Sequence, residues 1–128
     1  MASDFLSDIT STVLSKTLDA AAARQKAIAN NIANVETPGY KRSYVSFENE
    51  LAKVLDQQSK AGIRKELKGL TPVRETDVLS AEQANGNNVN IDAEIADLAK
   101  NQLNQKAAAV LLEGKISMLR AAITEGKR

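Results

Sequence analysis

Each end of the 128-residue chain carries apolar residues at alternating intervals of four and three, and that spacing leaves little freedom of fold. The first row is Leu14, Leu18, Ala21, Gln25, Ile28 and Ile32, with Gln25 in an otherwise apolar series. Such intervals keep a row of side chains on one face of a helix with 3.6 residues per turn, and when sustained they form a seam for a second helix. No Gly or Pro interrupts the segment, and Leu6, Ile9 and Val13 continue an apolar face upstream. The spacing predicts a helix over residues 10–33, with the first few residues frayed. The second row is Ile91, Ile95, Leu98, Gln102, Gln105, Ala109, Leu112, Ile116, Leu119 and Ile123. Asn90 suits the cap of that helix, and Asp92 and Glu94 place negative charge at the positive end of its dipole. Gly126, Lys127 and Arg128 read as its stop, and Gly114 is its weak point, at about 1 kcal/mol relative to Ala. Some 33 residues at 1.5 Å each predict a rod of roughly 50 Å.

The middle has a different texture. Thr37-Pro38-Gly39-Tyr40 places Pro and Gly at the two central positions of a type II turn. Residues 43–47 read as a short extended piece, and Phe47, Leu51, Val54 and Leu55 have helical spacing. Gly62 and Gly69 bracket a mixed-charge stretch. Thr71-Pro72-Val73 reads as extended, because a residue before Pro avoids the α region. Asn85-Gly86-Asn87-Asn88 reads as a turn or loop. Eight acids balanced by eight bases, with few aromatics, predict a segment that folds weakly alone and orders against a partner. The expected organisation is one mainly α structural domain: an N-terminal helix (1–34), an irregular, partly extended middle with a short helix (35–90), and a C-terminal helix (91–128), the two long helices pairing as a coiled coil.

Composition narrows the function classes. The sequence has no His and no Cys. That removes Ser-His triads, imidazole acid–base chemistry, disulfides and thiolate metal sites. No catalytic set, cofactor or metal is expected. Asp92 and Glu94 do not share a helix face, and Glu48 with Glu50 reads as solvated charge. Lys and Arg number 17 against 16 Asp and Glu, a net charge of +1 that gives no electrostatic drive toward nucleic acid. Arg64, Lys65 and Lys68 are interrupted by Glu66 and lack interleaved aromatics, so no nucleic-acid site is read there. The opening MASDFLSDIT has no basic start followed by an apolar stretch, unlike a Sec signal peptide. The longest apolar run, Ala107–Leu112, is far short of the roughly 20 residues that span a bilayer.

Two long seams in one chain meet each other, meet other chains, or do both. An antiparallel pair hides one stripe of each helix. Ile9 and Val13 on the first helix, and Leu103, Val110 and Leu111 on the second, lie off the stripe. The run 107–112 is apolar all round, the pattern of a helix surrounded on several sides. One partner helix does not cover that, so packing between subunits is expected. Gln25, Gln102 and Gln105 either fix the register of the pair or sit at its edge.

The run Ala29-Asn30-Asn31-Ile32-Ala33-Asn34-Val35-Glu36-Thr37-Pro38-Gly39-Tyr40 resembles the N-terminal signature of bacterial flagellar rod and hook proteins. Its members in this sequence are Asn31, Ile32, Ala33, Asn34, Thr37, Pro38, Gly39 and Tyr40. The short length and the stretch from Asn88 to Gly126 are most similar to the proximal rod subunits of that family. The resemblance implies a structural subunit of the basal-body rod, its terminal helices assembling as coiled coils into the axial drive shaft around the export channel. The implied partners are other rod subunits, further copies of the chain, the basal adaptor subunit at the membrane ring and the flagellar type III export apparatus. The implied location is the periplasmic rod of the basal body, reached without a cleaved signal. Related subunits carry a gate-recognition pattern of Phe followed four residues later by an apolar residue. Phe47 and Leu51 match it, as do Phe5 and Ile9, and the same spacing also makes an ordinary helix contact. From the residues alone, Asn30, Asn31 and Asn34 suit helix-end capping, either by satisfying carbonyls or by accepting a left-handed backbone. A cytoplasmic coiled-coil adaptor or export chaperone is the reading that competes with a rod subunit.

Overall fold

The computed structural model describes residues 2–126. The elements in chain order are helix α1 (Ala2–Ala33), strand β1 (Ser43–Ser46), helix α2 (Glu48–Leu55), helix α3 (Lys60–Gly69), strand β2 (Val73–Thr76) and helix α4 (Ile91–Gly126). The fold is mainly α, as the two rows predict. Helices α1 and α4 run antiparallel along each other: Asn31 reaches Glu94, Ala21 meets Asn101 and Ser7 meets Lys115. Asn90 opens α4 as expected, its Oδ1 accepting from the backbone N–H of Asp92 (3.1 Å) and Ala93 (3.2 Å). Lys127 and Arg128 of the expected stop lie outside the described residues.

Helix α1 begins earlier than its spacing predicts. Helix α3 lies against its first turns. Lys60 and Arg64 sit 5.4 and 5.1 Å from the Phe5 ring, and Arg64 pairs with Asp8 at 3.4 Å. Helix α3 itself occupies what reads in sequence as a mixed-charge stretch between glycines. Ser59 caps it by accepting from Gly62 N–H (3.2 Å), Ile63 and Leu67 are buried, and Lys16 of α1 donates to the carbonyl of Lys68 at its end (3.0 Å).

Strands β1 and β2 form an antiparallel pair with Ser43 opposite Thr76 and Ser46 opposite Val73. Ser43 and Val45 face inward while Tyr44 faces out, the alternation of a half-buried strand. Val45, Phe47, Val54, Ile63 and Leu67 are buried, as are Ala20 and Ala27 of α1. The middle segment packs against the chain's own α1.

Helix α4 is rotated from its expected seam. Glu94, Asn101 and Ala108 are buried, and Leu98, Gln105, Leu112 and Lys115 are half-buried. This inner row also has heptad spacing, yet it shares only Leu98, Gln105 and Leu112 with the expected one; Ala109, at its margin, is half-buried. Ile91, Ile95, Ile116, Leu119 and Ile123 are 37–61% exposed, and Gln102 is exposed as well. The cause is polar: Glu94 is drawn into bonds with Asn31 and Arg42, and Asn101 Nδ2 donates to the carbonyl of Ala21 at 2.8 Å. On α1, Ala21 and Ile28 are buried, Leu14, Leu18 and Ile32 half-buried, and Gln25 exposed. Leu103, Val110 and Leu111 stand 59–69% exposed on the outer side of α4.

Candidate functional site

The end of α1 is closed by its own side chains. Asn34 Nδ2 donates to the carbonyl of Asn30 (2.8 Å), and Thr37 Oγ1 donates to Asn34 Oδ1 (3.1 Å). Tyr40 N–H then bonds the carbonyl of Thr37 (3.3 Å), with Gly39 at φ +75°. That is the type II turn Pro38 and Gly39 predict, and its third residue needs the left-handed backbone that glycine adopts freely. Among the described residues no residue other than glycine takes a positive φ, so the asparagines act here through carboxamides, not through backbone conformation.

Asn31 does not cap the helix. It is fully buried, and its carboxamide joins three elements. Oδ1 accepts from Ser43 N–H (2.9 Å) and from the Tyr40 hydroxyl (3.0 Å); Nδ2 donates to the carbonyl of Ser43 (2.8 Å) and to Glu94 Oε2 (3.1 Å). One side chain thereby holds the end of α1 to β1, to the signature turn and to the start of α4.

Glu94 is 1% exposed, and a charge so buried persists only when paired. Arg42 supplies the pair. Its Nε donates to Glu94 Oε1 (2.8 Å) and its Nη1 to Asp77 Oδ2 (2.9 Å). Burial opposes the guanidinium's charge, but the bonds to Glu94 and then Asp77 outweigh that and raise its proton affinity. The Asp77 carboxyl is held well below the usual carboxylate range, first by the Ser80 hydroxyl (2.5 Å) and next by Arg42. The backbone closes the same circuit, since Asp77 N–H donates to the carbonyl of Arg42 (2.8 Å).

The loop before α4 completes the joint. Asn87, also fully buried, donates through Nδ2 to the carbonyls of Asn34 and Thr37, both at 2.8 Å. Asn88 accepts from Arg42 N–H (2.7 Å) and donates to the carbonyl of Asp77 (2.7 Å). Gly39 N–H donates to the carbonyl of Asn85 (2.9 Å), and Gly86, at φ +83°, lies so near Gly39 that a Cβ on it would stand 3.4 Å from the Gly39 Cα.

Among the described residues no buried side-chain nitrogen or oxygen lacks a hydrogen-bond partner, and no group of three or more acidic residues could hold a metal. Each buried side-chain nitrogen and oxygen of the cluster finds its partner within the chain. The cluster's chemistry is that of a joint. No helix of the described residues is long and apolar enough to cross a membrane.

Of the signature residues, Asn31, Asn34, Thr37, Gly39 and Tyr40 meet in this joint, Ile32 is half-buried beside it, and Ala33 and Pro38 are exposed. Phe47 is buried and stands just before α2, where its carbonyl accepts from Leu51 N–H (2.9 Å); Leu51 is half-buried. Sequence reasoning missed Arg42, Asp77 and Asn87, and read Glu94 only as a dipole partner. The one visible signal was the density of asparagine at 85–90, more than a surface turn requires.

A family model described as flagella basal body rod protein matches residues 12–41, most of α1 and the turn beyond it. The flagellar basal body rod protein FlgB of Bacillus subtilis (strain 168) is 38% identical over 123 residues, covering 89% of this chain and 92% of that protein. FlgB of Borreliella burgdorferi is 38% identical over 100 residues, covering 67% and 74%. FlgB of Escherichia coli (strain K12) is 29% identical over 122 residues, covering 85% and 88%.

Proposed function

Because the chain belongs to the flagellar basal body rod protein family, we propose that it is a proximal rod subunit, most similar to FlgB, that assembles with copies of itself and with other rod subunits through α1 and α4. The assembled helices form the drive shaft that transmits torque and enclose the export channel. The observation that carries this reading is the outer surface of α4. Leu103, Val110, Leu111 and Met118 are 59–74% exposed there, and Ile91, Ile95, Ile116, Leu119 and Ile123 leave the helix pair partly bare. A monomeric protein rarely leaves so long an apolar surface open, and neighbouring subunits would cover it. The row Leu14, Leu18, Ala21, Gln25, Ile28, Ile32 on α1 and the row from Ile91 to Ile123 on α4 supply the contacts, partly within the subunit and partly between subunits.

The basal adaptor subunit at the membrane ring and the flagellar type III export apparatus are the further partners in this reading, and the periplasmic rod is the destination. Export proceeds unfolded, so Phe47 and Leu51 are presented to the gate before Phe47 is buried. Replacing both with Ala is expected to lower secretion of the subunit into the medium of a rod-deficient strain, while Phe5→Ala leaves it unchanged. Equal secretion of both variants would remove Phe47 and Leu51 from the gate.

The rod role is tested by deleting the gene in the source organism and imaging extracted basal bodies. Loss of rod and hook with the membrane ring retained, restored by the gene in trans, supports it. Complete basal bodies in swimming cells would refute it in favour of an adaptor or chaperone.

A further inference from the structure

We propose that Asn85 is a site of spontaneous deamidation that is reactive in the unfolded chain and silenced by folding. Asn85-Gly86 is the sole Asn-Gly pair in the sequence. Glycine has no side chain to obstruct attack by its own backbone nitrogen, whereas every other asparagine here precedes a bulkier residue. The Gly86 nitrogen gives up its proton to water and attacks Asn85 Cγ. A C–N bond forms, the carboxamide nitrogen leaves as ammonia, and a five-membered succinimide closes. Water then adds to one of the two ring carbonyls and reopens it as aspartate, or as isoaspartate with the main chain rerouted through the side chain. Water is the only co-reactant.

The fold restrains each participant. Gly86 N–H donates to the carbonyl of Gln83 (2.9 Å), and Asn85 Oδ1 accepts from Asn87 N–H (3.1 Å), so nucleophile and carboxamide are both engaged elsewhere. The peptide between them is pinned on either side. The Asn85 carbonyl accepts from Gly39 N–H (2.9 Å), the Gly86 carbonyl accepts from Lys41 Nζ, and Gly86 lies against Gly39 at φ +83°. Asn85 is exposed to solvent, so the protection is conformational and does not depend on keeping water out. Isoaspartate adds a backbone carbon two residues before Asn87, whose side chain clamps the carbonyls of Asn34 and Thr37. A chain carrying isoaspartate at position 85 before folding therefore presents Asn87 to the joint out of register, whereas one carrying aspartate keeps the main-chain spacing.

The test incubates the full chain at mildly alkaline pH, folded and in concentrated urea, and follows each asparagine by peptide mass mapping with an isoaspartate-specific methylation assay. In urea, conversion at Asn85 is expected to outrun that at every other asparagine. In the folded chain it is expected to be about tenfold or more slower, because the turn must open first. Asn87→Ala, which unfastens the loop, is expected to speed conversion at Asn85 in the folded chain. Equal rates in buffer and urea, no preference for Asn85 in urea, or an unaltered rate in folded Asn87→Ala would each overturn the proposal.

Discussion

Asn31 and Arg42 show how much of this molecule rests on single side chains. Asn31 satisfies both backbone polar groups of Ser43 and one oxygen of a buried carboxylate. Arg42 is the counter-charge for Glu94. Removing a partner from a buried charge costs more than the pair contributes, because the survivor stays buried and unpaired. Arg42→Met is therefore expected to destabilise the chain by about 3–5 kcal/mol, measured as a fall in urea midpoint by circular dichroism. A change below about 1 kcal/mol would mean that water reaches Glu94 when Arg42 is lost. Asp77 carries a pH dependence. Its folded pKa lies below its unfolded one, so its stabilisation is fully present above about pH 4 and is lost as pH falls from there toward the folded value. Asp77→Asn is expected to be less stable than the parent at pH 7 by about 2 kcal/mol, with the gap narrowing below pH 4. A gap that stays constant down to pH 3 would place the stabilisation in the hydroxyl and amide contacts, with the charge contributing nothing.

At the scale of the element, α4 has two contrasting faces, one buried and polar, the other exposed and apolar. Its inner row is polar where a coiled coil is usually apolar, with Glu94 and Asn101 buried at heptad spacing. Their bonds to Asn31, Arg42 and Ala21 turn this row inward, and Leu103, Val110 and Leu111 stand on the opposite side. Gly114 lies on that outer side, where an added Cβ would meet nothing within 4 Å. In the isolated subunit the glycine therefore only costs helix propensity. Gly114→Ala is expected to stabilise the isolated chain by about 1 kcal/mol, read as a higher urea midpoint. A loss of stability would reveal a contact inside the subunit that the open surroundings of Gly114 do not show.

For the whole molecule, the polar joint and the apolar exterior are complementary. The joint ties α1, the strand pair and the base of α4 together, and among the described residues no buried side-chain nitrogen or oxygen is left without a partner. The outer face of α4 is left exposed. Substitutions there separate folding from assembly. Val110→Glu is expected to leave the far-ultraviolet circular dichroism and urea midpoint within about 0.5 kcal/mol of the parent, as exposed positions do. The same change is expected to prevent incorporation into rods, scored by motility of the complemented strain. Motile cells carrying Val110→Glu would mean that this face stays bare in the rod.

The terminal helices, the Pro38-Gly39 turn, the Asn90 cap and the extended pieces on either side of the middle were legible in the chain because each depends on neighbours within a turn or two. Periodicity of 3.6 residues, a proline's fixed φ and a glycine's tolerance of positive φ are local properties, and local properties survive in a linear string. Helix α3 was not legible: its charged surface hides an apolar pair, Ile63 and Leu67, that is meaningful only against α1 and α2. The rotation of α4 and the joint were hidden for the same reason. Asn31 bonds Glu94 across 63 positions and Asn101 bonds Ala21 across 80, and no spacing rule reaches that far. Sequence alone determined that two long helices would form and where the chain would turn between them. Tertiary structure decided which faces meet, because buried polar groups demand their particular partners while aliphatic side chains accept almost any apolar neighbour.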